Sequence, residues 1–261
     1  MFAGGAGKAL VVGAAATILA VSGCASSTPQ GAARVQVLAA RSLSQVFEAL
    51  AAEFESAQAS RIRVDLSFAG TPALVAQIDA GAPAGVFASA DEANMNRVIA
   101  AGQASGARVF ALNRFAVVYR AGNPFEIDRL GDLADPGLSV VICAPVVPCG
   151  EYTRAALKSA GTEIRPVSEE DNVGSVLTRV GLGEADAGIV YVTDLKAALG
   201  EPGSGVAGFA LEPGEGGEIV ARYPIAVLES AADPAAARSF VSFVLSGAGR
   251  EILARFGFEL P

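Results

Sequence analysis

The chain has 261 residues, with 27 acidic against 19 basic side chains for a formal charge of −8, three cysteines, and no histidine or tryptophan. The missing histidine excludes Ser-His-Asp and Cys-His catalysis and histidine-held zinc or iron. The acidic balance, with Lys and Arg scattered rather than striped, excludes a nucleic-acid surface and a broad electrostatic trap for anions, so an anion site here must work through short-range hydrogen bonds.

At the N-terminus, Lys8 is the one charged side chain before an apolar run over 9–21 and the sequence Val21-Ser22-Gly23-Cys24. That run is shorter than the roughly 20 residues of a spanning helix, and small residues before Cys24 suit a peptidase, so 1–23 reads as a cleaved export signal. The segment resembles a bacterial lipoprotein signal, which implies acylation of Cys24 and a lipid anchor on the outer face of the cytoplasmic membrane. An uncleaved anchor is the alternative, and in either case the folded part lies outside the cytoplasm. Residues 24–33 are small and polar, as a tether would be. After processing, 18 basic and 27 acidic residues leave a charge of −9.

In chain order, β-rich runs stand at 35–39, 62–68, 86–88, 108–119, 139–143, 164–167, 187–191 and 222–228. Helical periods fall between them. The first, over 43–58, places Val46, Phe47, Leu50, Ala51 and Phe54 on one face, with Ser42 and Gln45 fitting a capping box. The second opens at Thr71, with Pro72 at a favoured first-turn position and Gly81 as its stop. Others are expected at 91–101, closed by Gly102, and at 150–160, 173–183, 234–245 and 248–256. The alternation is that of an α/β protein built on mostly parallel sheets.

Three of the strands, over 35–42, 64–71 and 140–149, run straight into a small uncharged residue that opens a helix. The first N–H groups of a helix lack intrahelical partners and lie at the positive end of its dipole, so converging helix starts form an anion pocket. The runs 109–119 and 222–228 are the candidates for strands passing between two lobes. Lobe one is then 34–112 plus 224–261 and lobe two 113–223, with a double crossover hinge and a cleft lined by strand-to-helix turns.

Cys143 and Cys149 are too few to hold zinc without histidine. They are either a disulfide closing the loop 144–148 in an oxidising compartment or two unrelated thiols. Taken singly, other residues have ordinary roles: Ser42 and Thr71 as N-caps, Tyr191 as a core-edge aromatic with its hydroxyl in solvent, Arg41 on the surface, Asp91 as a cap, and 81–84 as a turn.

The runs Ala39-Ala40-Arg41-Ser42-Leu43, Phe68-Ala69-Gly70-Thr71, Gly81-Ala82-Pro83-Ala84-Gly85-Val86-Phe87-Ala88-Ser89-Ala90-Asp91, Pro148-Cys149-Gly150-Glu151-Tyr152 and Ala187-Gly188-Ile189-Val190-Tyr191 together resemble the periplasmic molybdate-binding proteins of ABC importers. The resemblance spans essentially the whole chain after the tether. It implies a two-lobed type II binding-protein fold, each lobe a mixed, mostly parallel sheet flanked by helices, and a tetrahedral anion held by five segments. Ser42 and Thr71 would each give a hydroxyl and a backbone N–H, Cys149 and Val173 a backbone N–H, and Tyr191 its phenol. This chain has Thr71 where the family usually has Ser, Cys149 where it has Ala or Val, and Gly174 where it often has Arg.

A site of N–H and O–H donors without a carboxylate acceptor favours an oxyanion that carries no proton, which excludes phosphate near neutral pH. Molybdate and tungstate are near twins and larger than sulfate, so cavity size separates them from it. The expected protein is a monomeric, lipid-anchored receptor for molybdate, and for tungstate, serving an ABC permease. It needs no cofactor and holds no metal cation, molybdenum entering only as the oxyanion. A receptor for sulfate or another small oxyanion is the alternative. An enzyme using Ser42 or Cys149 as nucleophile is not expected, since no histidine can act as base and neither Lys158 nor Lys196 stands in a motif with them.

Overall fold

The computed structural model describes Met1 and residues 32–261, so the expected signal 1–23 beyond Met1, the lipidation site Cys24 and most of the 24–33 tether lie outside the described residues. Among those described, no helix is long and apolar enough to cross a membrane.

Two five-stranded sheets carry the fold. The first contains β1 (Ala33–Ala40), β2 (Ile62–Ala69), β3 (Val86–Ala88) and β4 (Ala104–Asn113); the second contains β5 (Phe115–Arg120), β6 (Val140–Cys143), β7 (Ser168–Glu170), β8 (Ala187–Tyr191) and β9 (Val206–Ala210). β10 (Ala221–Leu228) returns to the first sheet. The helices are α1 (Ser44–Ala57), α2 (Thr71–Asp79), α3 (Glu92–Ala100), α4 (Pro148–Ser159), α5 (Val173–Gly181), α6 (Val192–Leu199), α7 (Pro234–Val244) and α8 (Gly247–Phe256).

The spatial orders are β2-β1-β3-β10-β4 and β7-β6-β8-β5-β9. In each sheet three parallel strands are followed by one antiparallel strand, β10 or β5, that has just crossed from the other sheet. The two sheets are thus built on one plan and the chain passes between them twice. Phe115, Ala116, Val117 and Val118 are fully buried, because β5 is covered on both faces. α1 packs by edge-to-face rings on the first sheet, Phe47 on Phe110 at 5.8 Å, and on α7, Phe54 on Phe240 at 5.3 Å.

Several expected elements are corrected. The run 108–119 is two strands in different sheets, broken at Arg114. There the backbone N–H bonds Asn113 Oδ1 at 3.0 Å, and the guanidinium reaches Glu259 at 2.6 Å and the Gly217 carbonyl at 2.7 Å. Asn113 and Arg114 interrupt the apolar run at the change of sheet, but two polar residues within a long run read equally as part of one strand. The strand expected at 164–167 falls instead at Ser168–Glu170, a polar edge strand paired with β6. β9 and α6 were not expected: β9 is a short edge strand interrupted by Gly208, and α6 follows β8 without any polar break.

The Ser42–Gln45 capping box does not form. Ser42 lies in a 3-10 turn, Arg41–Leu43, and α1 begins at Ser44 with no side-chain cap. Thr71 is the first helical residue of α2 and Gly70 its N-cap, so Thr71 is not the cap either. Asp91 does cap α3, accepting the Asn94 N–H at 2.8 Å.

Candidate functional site

The parallel strands of both sheets point their carboxyl ends toward one place, where open α/β sheets collect ligands. β1 leads into the 3-10 turn holding Ser42, β2 into α2 at Thr71, β6 through a short loop into α4 at Cys149, β7 into α5 at Val173, and β8 into α6 at Tyr191. All five of these residues line a single cavity of about 20 Å³. Organic ligands occupy pockets of roughly 300–1,000 Å³, so this is room for one compact ion. A larger cleft of about 380 Å³ opens beside it and shares Arg41 and Ser42.

Each donor has a local cause. Thr71, Cys149 and Val173 stand at the first or second position of their helices, where the N–H has no intrahelical acceptor. Asn172 caps α5 by accepting the Ser175 N–H at 3.0 Å and leaves the Val173 N–H unused. The Thr71 hydroxyl oxygen accepts the Ala90 N–H at 3.4 Å. Cys143 and Cys149 are joined by a disulfide, which ties the start of α4 back to the end of β6.

Tyr191 departs from its ordinary reading. Its residue is 1% exposed and its hydroxyl is buried with no hydrogen-bond partner among the described residues. Leaving such a group unsatisfied costs about 1–3 kcal/mol, a cost that a ligand in the cavity would remove. Burial, with Tyr223 alongside, pushes its pKa well above the usual phenol range, so it is a neutral donor.

The charged groups at the cavity are few. The Asp171 carboxylate is turned to its own helix start, accepting from Asn172 Nδ2 at 2.6 Å and Ser175 Oγ at 3.3 Å. Arg41 is exposed, as expected, but its Nε lies 3.0 Å from where a Cβ at Gly174 would stand. Gly174 therefore leaves room for an arginine reaching over from the first sheet.

Tyr223 was missed by sequence reasoning. It is fully buried on β10, and its Oη lies 3.1 Å from Ser42 Oγ. The strand itself is legible over 222–228; which way its tyrosine points is not, because both faces of β10 are apolar.

Comparison with known proteins gives a consistent picture. A family model described as bacterial extracellular solute-binding protein matches residues 35–259. The molybdate-binding protein ModA of Mycobacterium tuberculosis H37Rv is 40% identical over 247 residues, 91% of this chain and 92% of that one. Its counterpart in Escherichia coli K12 is 29% identical over 238 residues, 87% and 89% of the two chains. The periplasmic molybdate-binding protein of Azotobacter vinelandii superposes with a TM-score of 0.75 at 25% identity, over 87% of this chain and 99% of that one. The sulfate-binding protein SubI of Mycobacterium tuberculosis H37Rv gives 0.71 at 18% identity over 87% of each, a likeness of fold.

Proposed function

The chain belongs to the bacterial extracellular solute-binding proteins, a family of transport receptors and not of enzymes, and from that premise we propose that it captures molybdate, and tungstate as its near twin, for an ABC importer. The observation that carries the reading is the buried, unpartnered Tyr191 hydroxyl in a cavity ringed by helix starts. Ser42 and Thr71 would give their hydroxyls and N–H groups, Cys149 and Val173 their N–H groups, and Tyr191 its phenol. Hydrogen bonds to a charged group contribute about 1.5–3 kcal/mol each and micromolar affinity needs about 8 kcal/mol, so these donors suffice without a lysine or a metal cation. The relatives named for molybdate support the choice of anion.

The two sheets with their helices act as the two lobes, 34–112 plus 224–261 and 113–223, closing about the strands that cross between them. The closed form presents both lobes to a membrane permease. A lipid on Cys24 would tether the monomeric receptor at the outer face of the cytoplasmic membrane.

Calorimetric titration with molybdate, tungstate, sulfate and phosphate tests the reading. Micromolar or tighter binding of the two heavy oxyanions, with weak sulfate and no phosphate, is the expected outcome. Binding of sulfate alone would move the assignment to a sulfate receptor, and equal or absent responses to all four would end it.

A further inference from the structure

We propose that Arg41 is a further residue of the anion site, a cationic latch that reaches from the first sheet across Gly174 of the second and slows the anion's exit into the neighbouring cleft. The inference rests on the oxyanion reading above. Arg41 and Ser42 are the two residues that line both the small cavity and the cleft of about 380 Å³, so the wall between the two spaces is made there.

Gly174 shows that the contact is built into the backbone. It is the second residue of α5 and its φ is not positive, so no turn calls for glycine, and glycine inside a helix is less favourable than alanine. Space is what calls for it. A Cβ would stand 3.0 Å from Arg41 Nε, 3.3 Å from Arg41 Cγ and 3.1 Å from Asn172 Oδ1. The arginine side chain thus lies on the start of α5, over the bare backbone of Gly174.

A helix start is the positive end of its dipole and disfavours a cation. Among the described residues no ion pair holds Arg41 there. The nearby acids are turned elsewhere: Asp171 accepts from Asn172 and Ser175, and Glu201 from Gln45 Nε2 at 3.4 Å. Asp194 feels the Arg41 charge, but its carboxylate accepts the Tyr191 N–H at 3.3 Å. Arg41 and Val173 line the small cavity together, so a dianion bound there supplies the missing countercharge to both the guanidinium and the helix start. It turns their mutual repulsion into a clamp across the two sheets. The cleft opens to solvent past Leu182, 70% exposed, and Arg41 is the only cation among the residues that line it. An anion that slips past Arg41 next meets the acids Asp194 and Glu201.

The test preloads the protein with labelled molybdate and follows its release into excess unlabelled molybdate. It compares wild type, Arg41→Ala, Gly174→Ala, the double variant and Arg238→Ala, the last removing an exposed charge from α7 that lines neither space. Arg41→Ala is expected to speed release at least about tenfold while the melting temperature of the free protein hardly moves, since the side chain is exposed. Gly174→Ala pushes the arginine off its seat and should speed release several-fold. In the Arg41→Ala background it should add nothing, because its effect passes through that side chain. Release from Arg41→Ala at the wild-type rate overturns the proposal. So does an equal Gly174→Ala effect with Arg41 absent, which would place the cause at the Val173 N–H, or an equal acceleration in Arg238→Ala, which would make it a matter of net charge. Failure of the wild type to bind molybdate would instead be failure of the oxyanion reading.

Discussion

Gly70 at the end of β2 and Asp171 at the end of β7 touch between the two sheets: a Cβ on Gly70 would stand 2.4 Å from the Asp171 carbonyl oxygen. The Gly70 backbone, at φ −59° and ψ 140°, is open to any residue. Proximity and not conformation therefore demands glycine here.

Gly70→Ala should resist approach of the two sheets while leaving the unliganded protein intact. The expected result is a loss of at least about tenfold in molybdate affinity, as a close backbone contact must be given up, with little change in the melting temperature of the free protein. Calorimetry and thermal melts with and without molybdate measure the two arms. Unaltered affinity would mean that the contact is not part of the bound state.

Tyr191→Phe should have effects of opposite sign on stability and binding. Removing a buried hydroxyl that has no partner stabilises the free protein by about 1 kcal/mol, while the loss of a donor to the anion weakens binding by roughly ten- to a hundredfold. Denaturant melts of the free protein and titration with molybdate check both. A destabilised variant would show that the hydroxyl has a partner in solution.

Reducing the Cys143–Cys149 disulfide should loosen the start of α4, which offers the Cys149 N–H. For a bridge with a sequence separation of 6, chain entropy sets the stability loss at roughly 2 kcal/mol. Molybdate affinity should fall several-fold with it. Melts and titrations with and without a reductant, beside a Cys143→Ser/Cys149→Ser variant that ignores the reductant, make the measurement.

Asp194 accepts the Tyr191 N–H at 3.3 Å at the start of α6. Its carboxyl is pushed up from 3.8 to about 7 by burial, against the Tyr191 N–H and the Arg41 charge, which pull it down. A group with a raised folded pKa binds its proton more tightly in the folded state. Its contribution to stability is therefore complete below about pH 4 and is lost as pH rises to about 7. Asp194→Asn keeps an acceptor for the Tyr191 N–H and cannot ionise. It should exceed wild type in stability at pH 8 by on the order of 1–2 kcal/mol, since the side chain still touches some water, and lose that advantage at pH 4. Urea melts of both proteins across this range check the sign.

The strands over 35–39, 62–68, 86–88 and 187–191 and the helix starting at Thr71 could be read directly, because burial pattern and helix-start chemistry are local. Helix-start chemistry marked Ser42, Thr71 and Cys149, the resemblance to the molybdate-binding proteins added Val173 and Tyr191, and the structure brings all five to one cavity. The split of the run 108–119 was not read although Asn113-Arg114 leaves a polar gap there, because so short an interruption is equally compatible with one continuous strand. Nor could the lost capping box, where the Ser42 hydroxyl turns to Tyr223 and Gln45 reaches Glu201 on the other sheet's side at 3.4 Å.

Composition and local pattern alone determined that the site would consist of helix-start donors in a chain without histidine, for an orphan N–H is fixed by where its own helix begins. The tertiary structure alone decided which distant groups those donors meet. Ser42 and Tyr223 stand 181 residues apart, and a hydrogen bond between them exists only because two strand crossings return β10 to the side of β3.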